Sequence, residues 1–166
     1  VSFWELARNS LLVASTTAVV SVLIGVSAAY AFARLDFRGR EVLMVAILGV
    51  LMLPAVATIT PLFVLLTRIQ IGDFTLGRSL FGVIVAIVSS VLPFAIWNLK
   101  GYLDTIPKEL EEAASVDGAT RNQSFLRIIL PLATPALAVT GFLGFIAGWT
   151  EYYFSVIFLS DASQFT

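Results

Sequence analysis

The sequence contains neither cysteine nor histidine in its 166 residues. Without cysteine there is no disulfide framework, no thiolate nucleophile and no cysteine-bound metal. Without histidine the chain lacks the commonest general base and the commonest metal ligand. We therefore expect no catalytic residue and no metal site in this chain.

Charged residues are also scarce. Asp, Glu, Lys and Arg make up 13% of the chain, whereas 58% is hydrophobic, and the mean hydropathy is +0.95. A soluble domain has about one quarter of its residues charged, so this excess of apolar sequence indicates a chain that lies in lipid. The net charge of −1 gives no reason to expect a nucleic-acid partner.

Four apolar stretches are long enough to cross a bilayer, since the hydrocarbon core needs about 20 helical residues. They are residues 11–33, 42–66, 80–99 and 128–149. We expect an all-α, polytopic transmembrane helix bundle with four spans, the first of them capped by Asn9 or Ser10. The apolar stretch 152–159 is too short to span, and we expect it to be re-entrant or interfacial.

The loop charges predict the orientation. Residues 34–41 and 100–127 hold seven basic residues, and the other polar segments hold three. The more basic side is cytoplasmic, which places both chain ends outside. The chain begins at Val1 without a visible signal peptide and ends at Thr166 in polar sequence, and we expect a fragment of a longer protein.

Small residues lie along one side of the fourth predicted span. Gly141, Gly144 and Gly148 permit close approach of another helix. Packing within the bundle is the favoured interpretation, and a homodimer contact is the alternative.

The polar segment before the fourth span has the pattern of two short helices joined by a turn. Pro107 suits a first helical position, and a helix is predicted over Lys108–Val116. Gly118 then suits a left-handed helix end. Thr120 and Gln123 form a capping box that starts a second helix. An amphipathic connector on the bilayer surface is one interpretation, and insertion of the small residues into a groove of a partner protein is the other.

Three groups of residues within and after this segment carry a resemblance. They are Glu112-Ala113-Ala114, Gly118 and Ile128-Ile129-Leu130-Pro131, with the spacing EAA-x3-G-x9-I-x-L-P. The pattern resembles the EAA motif of binding-protein-dependent ABC importer permeases, and the stretches WNLKGYLDTIPKELEEAASVDGAT and GFIAGWTEYYFSVIFLSD resemble the carbohydrate, maltose-type (MalG-like) subunits. The resemblance implies a partial type-1 transmembrane domain, from a subunit of six spans in the cytoplasmic (inner) membrane of a bacterium or archaeon.

The resemblance also implies what the loop 105–127 does. In the family this EAA loop contains a coupling helix that docks in a cleft of a cytoplasmic ATPase and carries its motion into the spans. The coupling residues are then Glu112 (acidic contact), Ala113 and Ala114 (docking face), Asp117 (flanking polar contact), Gly118 (turn), and Leu130 and Pro131.

The implied partners are ABC ATPase subunits, a second paralogous permease subunit, an extracytoplasmic substrate-binding protein and membrane lipid. Because the chain has no GxxxxGK[ST] loop, we expect it to bind no cofactor and to be no enzyme, with ATP and Mg²⁺ held by the partner ATPase. The expected solute is a sugar or oligosaccharide. Glycerol phosphate, an amino acid or phosphate is the alternative, and pairing of identical or different permeases stays open.

Two other classes of function are disfavoured. No Asp, Glu, Lys or Arg lies in the middle of a predicted span, whereas ion-coupled secondary transporters need such residues. A membrane enzyme would lack histidine, cysteine and paired acids.

One aromatic group is a candidate for the substrate path. Trp149, Tyr152 and Tyr153 surround Glu151 at the outer end of the fourth span. Aromatic faces beside a carboxylate suit sugar binding, but an interfacial aromatic belt has the same composition.

Overall fold

The computed structural model describes residues 2–72 and 74–159, and nearly all of them are helical. Val1 and the predicted polar end at Thr166 lie outside the described residues. The helices are α1 (Phe3–Arg34), α2 (Arg40–Leu51), α3 (Ala55–Thr67), α4 (Leu80–Thr105), α5 (Glu109–Val116), α6 (Arg121–Ser124), α7 (Leu130–Leu132), α8 (Thr134–Trp149) and α9 (Tyr153–Phe158). A π-helical turn (Phe125–Ile129) joins α6 to α7. The short antiparallel strands β1 (Gln70–Ile71) and β2 (Phe74–Thr75) and a 3-10 turn (Leu76–Arg78) join α3 to α4.

Helices α1, α4 and α8 pack together as the centre of the fold. Two apolar clusters fill the space between the helices. The outer cluster includes Val13, Val83, Ile87, Phe154 and Phe158. The inner cluster, at the end that carries α5 and α6, includes Val26, Leu99, Leu103, Ile129 and Ala133. Many other large apolar side chains are exposed, as expected for a chain whose solvent is lipid.

Fewer helices could span a membrane than the four predicted. Among the described residues, α1 and α4 are long and apolar enough, and Arg121–Leu132 with Thr134–Trp149 would be a third span bent by 73°. The predicted spans 11–33 and 80–99 lie within α1 and α4. The predicted span 42–66 is instead two helices, because the chain leaves the helix at Met52 and restarts after Pro54, where proline lacks the N–H that would continue the ladder.

Prolines also explain the bent third candidate. Pro131 cannot donate to the carbonyl four residues earlier, and here the ladder widens to a π-turn in which Leu130 N–H bonds to Phe125 O. Pro135 leaves the Pro131 carbonyl without its usual partner, and the Thr134 hydroxyl donates to that carbonyl at 2.7 Å. The Thr134 hydroxyl therefore replaces the missing backbone donor where the helix bends at Ala133.

The glycines of α8 pack against α1. A Cβ atom on Gly148 would lie 2.8 Å from Ala14 Cα, and one on Gly144 would lie 2.9 Å from Ser21 Oγ. Real Cβ atoms do not come this close, so only glycine permits the approach. The prediction of packing within the bundle is confirmed.

The predicted cap of the first helix is wrong. Helix α1 begins at Phe3, with Ser2 and Glu5 forming a capping box, and Asn9 lies buried inside the helix beside Ser10. The prediction failed because the apolar run starts about two turns after the helix does. The short apolar stretch 152–159 forms α9, which packs on α3 and α4.

Candidate functional site

The polar segment folds as two short helices and a turn, termed here the elbow (residues 109–125). Its first arm is α5, and its second arm is α6 with the C-cap residue Phe125. The predicted helix is observed as Glu109–Val116. Gly118 has a φ of 85°, the left-handed conformation that glycine favours. Thr120 N–H donates to Gln123 Oε1 at 2.8 Å, and Gln123 N–H donates to Thr120 Oγ1 at 3.3 Å. The predicted turn and capping box are confirmed.

Pro107 does not occupy the first helical position. It follows Ile106, whose backbone is extended, and the N-cap of α5 is Lys108. A residue before proline is driven out of the helical region. Pro107 therefore lies between α4 and α5 and is not the first residue of α5.

One face of α5 points away from the bundle. Glu109, Glu112, Ala113 and Val116 follow the i, i+3, i+4, i+7 spacing of a single helix face, and all four are exposed, Val116 at 88%. No salt bridge involves either carboxylate within the part of the chain that the structure describes. This outward face thus combines negative charge with a small and an apolar side chain.

The other predicted coupling residues lie nearby or at the base of the elbow. Ala114, Asp117 and Gly118 line a cavity of ≈ 470 Å³ in the crook of the elbow. Leu130 is half-buried against the inner cluster and Pro131 is exposed. The structure therefore brings the EAA residues together at the elbow and places Leu130 and Pro131 where its second arm enters the bundle.

The inward side of α5 holds an ion pair that the sequence analysis missed. Arg34 Nε, at the end of α1, pairs with Glu111 Oε1, and the two side chains are only 7% and 16% exposed. Tyr30 Oη donates to Glu111 Oε2 at 2.8 Å, and Arg34 Nη2 donates to the Ile106 carbonyl at 2.8 Å. Arg34 contributed only to the loop charge count, and no local spacing signals a contact across 77 residues.

The same tyrosine contacts the second arm of the elbow. The rings of Tyr30 and Phe125 have centroids 4.6 Å apart. Tyr30 and Arg34 are one helical turn apart and share a face of α1. The end of α1 therefore contacts both arms.

The aromatic group at the other end of the bundle lies on its surface. Trp149 stacks on Phe145 at 5.9 Å, and Tyr152 and Tyr153 are exposed. Glu151 accepts a hydrogen bond from Phe154 N–H at 3.0 Å and so caps α9. Exposed aromatic side chains of this kind are typical of an interfacial belt, and the substrate path through these residues stays a prediction.

An apolar helix bundle that carries the EAA pattern on an exposed helix is the arrangement expected of an ABC importer permease. The chain belongs to the family described as "Binding-protein-dependent transport system inner membrane component", which matches residues 21–164.

Proteins that are similar in sequence or structure to this chain are also components of transport systems. The chain is 40% identical to the inner membrane ABC transporter permease protein YcjP of Escherichia coli (strain K12), covering 99% of this chain and 57% of that protein. It is 38% identical to the maltose/maltodextrin transport system permease protein MalG of Yersinia pestis, covering 95% and 52%. A crystal structure of a bacterial ABC transporter that imports the acidic polysaccharide alginate superposes with a TM-score of 0.85 at 27% identity, covering 98% and 55%. The chain thus spans about half the length of these proteins.

Proposed function

We propose that the protein is a permease subunit of an ATP-driven importer and that its elbow docks on the ATPase. The observation that carries this proposal is the outward face of α5, where Glu112 and Ala113 of the EAA motif are exposed. Docking needs a rigid, accessible element, and the capping box and the glycine turn supply that rigidity.

The chemistry of the face suggests how the ATPase recognises it. Ala113 lets the α5 backbone approach a partner closely, and Val116 adds apolar surface that a groove would cover. Glu112 adds a carboxylate for a basic group of the ATPase. A helix held against the membrane-embedded bundle on one side and the ATPase on the other can pass displacement between them.

The proposed solute is a sugar or oligosaccharide. The Yersinia pestis relative is named for maltose and maltodextrin, and the structural neighbour imports alginate. Both solutes are saccharides, which favours this class over glycerol phosphate, amino acids or phosphate. We assign no contact to the solute among Trp149, Glu151, Tyr152 and Tyr153.

The assembly follows from the same proposal. The subunit lies in the inner membrane with a second permease subunit, ATPase subunits that hold ATP and Mg²⁺, and an extracytoplasmic binding protein. Hydrolysis takes place on the ATPase, and this chain contributes the path and the coupling surface.

The test is a charge reversal in the full-length subunit. Glu112→Lys should reduce co-purification of the ATPase and the stimulation of ATP hydrolysis by the binding protein. Glu41→Lys is the matched control, because Glu41 is an exposed carboxylate at the same end of the bundle but outside the elbow. Full docking and full stimulation in Glu112→Lys would show that the EAA face is not the contact.

The solute is tested separately in the assembled importer. The binding protein is supplied in turn with maltodextrin, alginate oligosaccharides, glycerol phosphate, an amino acid or phosphate. The rate of ATP hydrolysis is measured with each solute. Stimulation by a saccharide alone supports the proposal. Stimulation by one of the other solutes refutes the sugar assignment and leaves the importer assignment intact.

A further inference from the structure

The inward side of α5 is fixed to α1 by side chains that lie away from the outward, ATPase-docking face. Glu111 accepts hydrogen bonds from Arg34 and from the Tyr30 hydroxyl. Arg34 also binds the Ile106 carbonyl, the last turn before the elbow. Tyr30, Arg34 and Glu111 are termed the clamp.

The clamp restricts both position and orientation. A planar guanidinium that binds a carboxylate and a carbonyl at once tolerates few geometries. Pulling the pair apart would leave an unpaired charge in a poorly solvated place. The Tyr30 ring also packs on Phe125 of the second arm, so neither arm can swing from α1 without losing contacts.

The two neighbouring glutamates therefore differ in burial and in pairing. Glu111 is mostly buried and paired, whereas Glu112 is exposed and has no salt bridge among the described residues. They are about 100° apart around the α5 axis. One carboxylate faces the bundle, and the other is free for a partner.

We propose that Tyr30 and Arg34 are positioning residues for coupling, which through Glu111 make the elbow and α1 move as one body. This inference rests on the proposed docking of the elbow on the ATPase. A displacement of the elbow then reaches α1 directly, in addition to passing along the chain into α8. Without the clamp, the ATPase would still bind, but part of its motion would be lost in movement of the elbow relative to α1.

The experiment uses the full-length subunit in the assembled importer. Glu111→Gln removes the charge at nearly constant shape, and Tyr30→Phe removes only the hydroxyl and keeps the ring on Phe125. Asp104→Asn is the matched control, since Asp104 also pairs with a basic residue at this end of the bundle but is more exposed. ATPase co-purification and the ratio of stimulated to basal hydrolysis are measured for each variant.

A second readout measures the clamp without reference to hydrolysis. Spin labels are placed at Ser27→Cys on α1 and Asn122→Cys on α6, both exposed sites outside the docking face and the clamp, in a stretch of chain that has no cysteine of its own. The label distance should be narrowly distributed and equal with and without ATP in the otherwise unchanged protein. Glu111→Gln should broaden the distribution or make it depend on ATP.

We expect all three variants to retain the ATPase. The stimulated-to-basal ratio should fall by about threefold or more in Glu111→Gln, by less in Tyr30→Phe, and not at all in Asp104→Asn. An unchanged ratio together with an unchanged, narrow distance distribution in Glu111→Gln would overturn the clamp. If Glu111→Gln fails to fold, Tyr30→Phe decides by the same two readouts.

Failure of the proposed function gives a different result. If the unaltered subunit does not bind the ATPase, or Glu112→Lys binds it fully, the docking assignment fails. The label distances then still decide whether α1 and the elbow form one body. The two proposals can therefore fail independently.

Discussion

Removing Arg34 should destabilise the subunit far more than removing Lys100, a less buried cation at the same end of the bundle. The Arg34 and Glu111 side chains are 7% and 16% exposed, whereas those of Lys100 and Asp104 are 22% and 43% exposed. Arg34→Met leaves a mostly buried carboxylate without its cation, at a cost of about 3 kcal/mol. Lys100→Met breaks a pair near the surface and should cost less than about 1 kcal/mol.

A double variant distinguishes the loss of the ion pair itself from the cost of leaving one buried charge unpaired. Replacing both partners of a buried pair by apolar side chains is often nearly neutral, because no unpaired charge remains. Arg34→Met/Glu111→Met should therefore recover most of the stability lost in Arg34→Met. The lost hydrogen bonds to Tyr30 and to the Ile106 carbonyl leave a residual cost of about 1 kcal/mol.

The assay is thermal unfolding of the full-length subunit in one detergent, with the apparent midpoints compared across variants. The expected order is unaltered protein, then Lys100→Met, then the double variant, then Arg34→Met. If Arg34→Met unfolds at the same temperature as Lys100→Met, the ion pair is not a buried, stabilising contact. If the double variant is less stable than Arg34→Met, the penalty does not come from the unpaired carboxylate.

Three further substitutions test other parts of the fold. Gly148→Ala should lower the unfolding midpoint through a clash with α1 worth about 1–3 kcal/mol, whereas Gly101→Ala, with nothing within 4 Å of the added Cβ, should not. Gly118→Ala should speed amide hydrogen exchange in the elbow, because a left-handed alanine costs about 1–2 kcal/mol. Asn98→Leu removes the 3.0 Å hydrogen bond from Asn98 to Thr140, a residue that is 1% exposed. The unfolding midpoint should fall by an amount equivalent to about 1 kcal/mol, and an unchanged midpoint would contradict this prediction.

Local rules predicted the elbow well. Its helix, its glycine turn and its capping box each depend on residues at most a few positions apart, so short-range spacing was sufficient. The long apolar runs within α1 and α4 were equally predictable, because an uninterrupted apolar run of that length is typical of a membrane-spanning helix. The packing role of the α8 glycines also followed from their spacing.

Contacts between distant residues were not predictable in the same way. Arg34 and Glu111 lie 77 positions apart, and a single sequence contains no pattern that links them. The break inside the predicted span 42–66 was missed for a different reason. Its composition suits a membrane, but the backbone leaves the helix before Pro54, and hydropathy does not register that break.

Helix α1, the elbow and α8 form a closed set of contacts that should move together. The elbow joins α8 through the bend at Ala133, the clamp joins it to α1, and the glycines join α1 to α8. If the bend alone opened, the close approach at Gly148 or the clamp would have to break. Helix α2 is attached differently, since none of its residues is buried and its link to α3 is the break at Met52–Pro54. We therefore expect ATP to change a label distance between α1 and α2 and to leave the distance between α1 and the elbow constant; the reverse result would refute this division of the molecule.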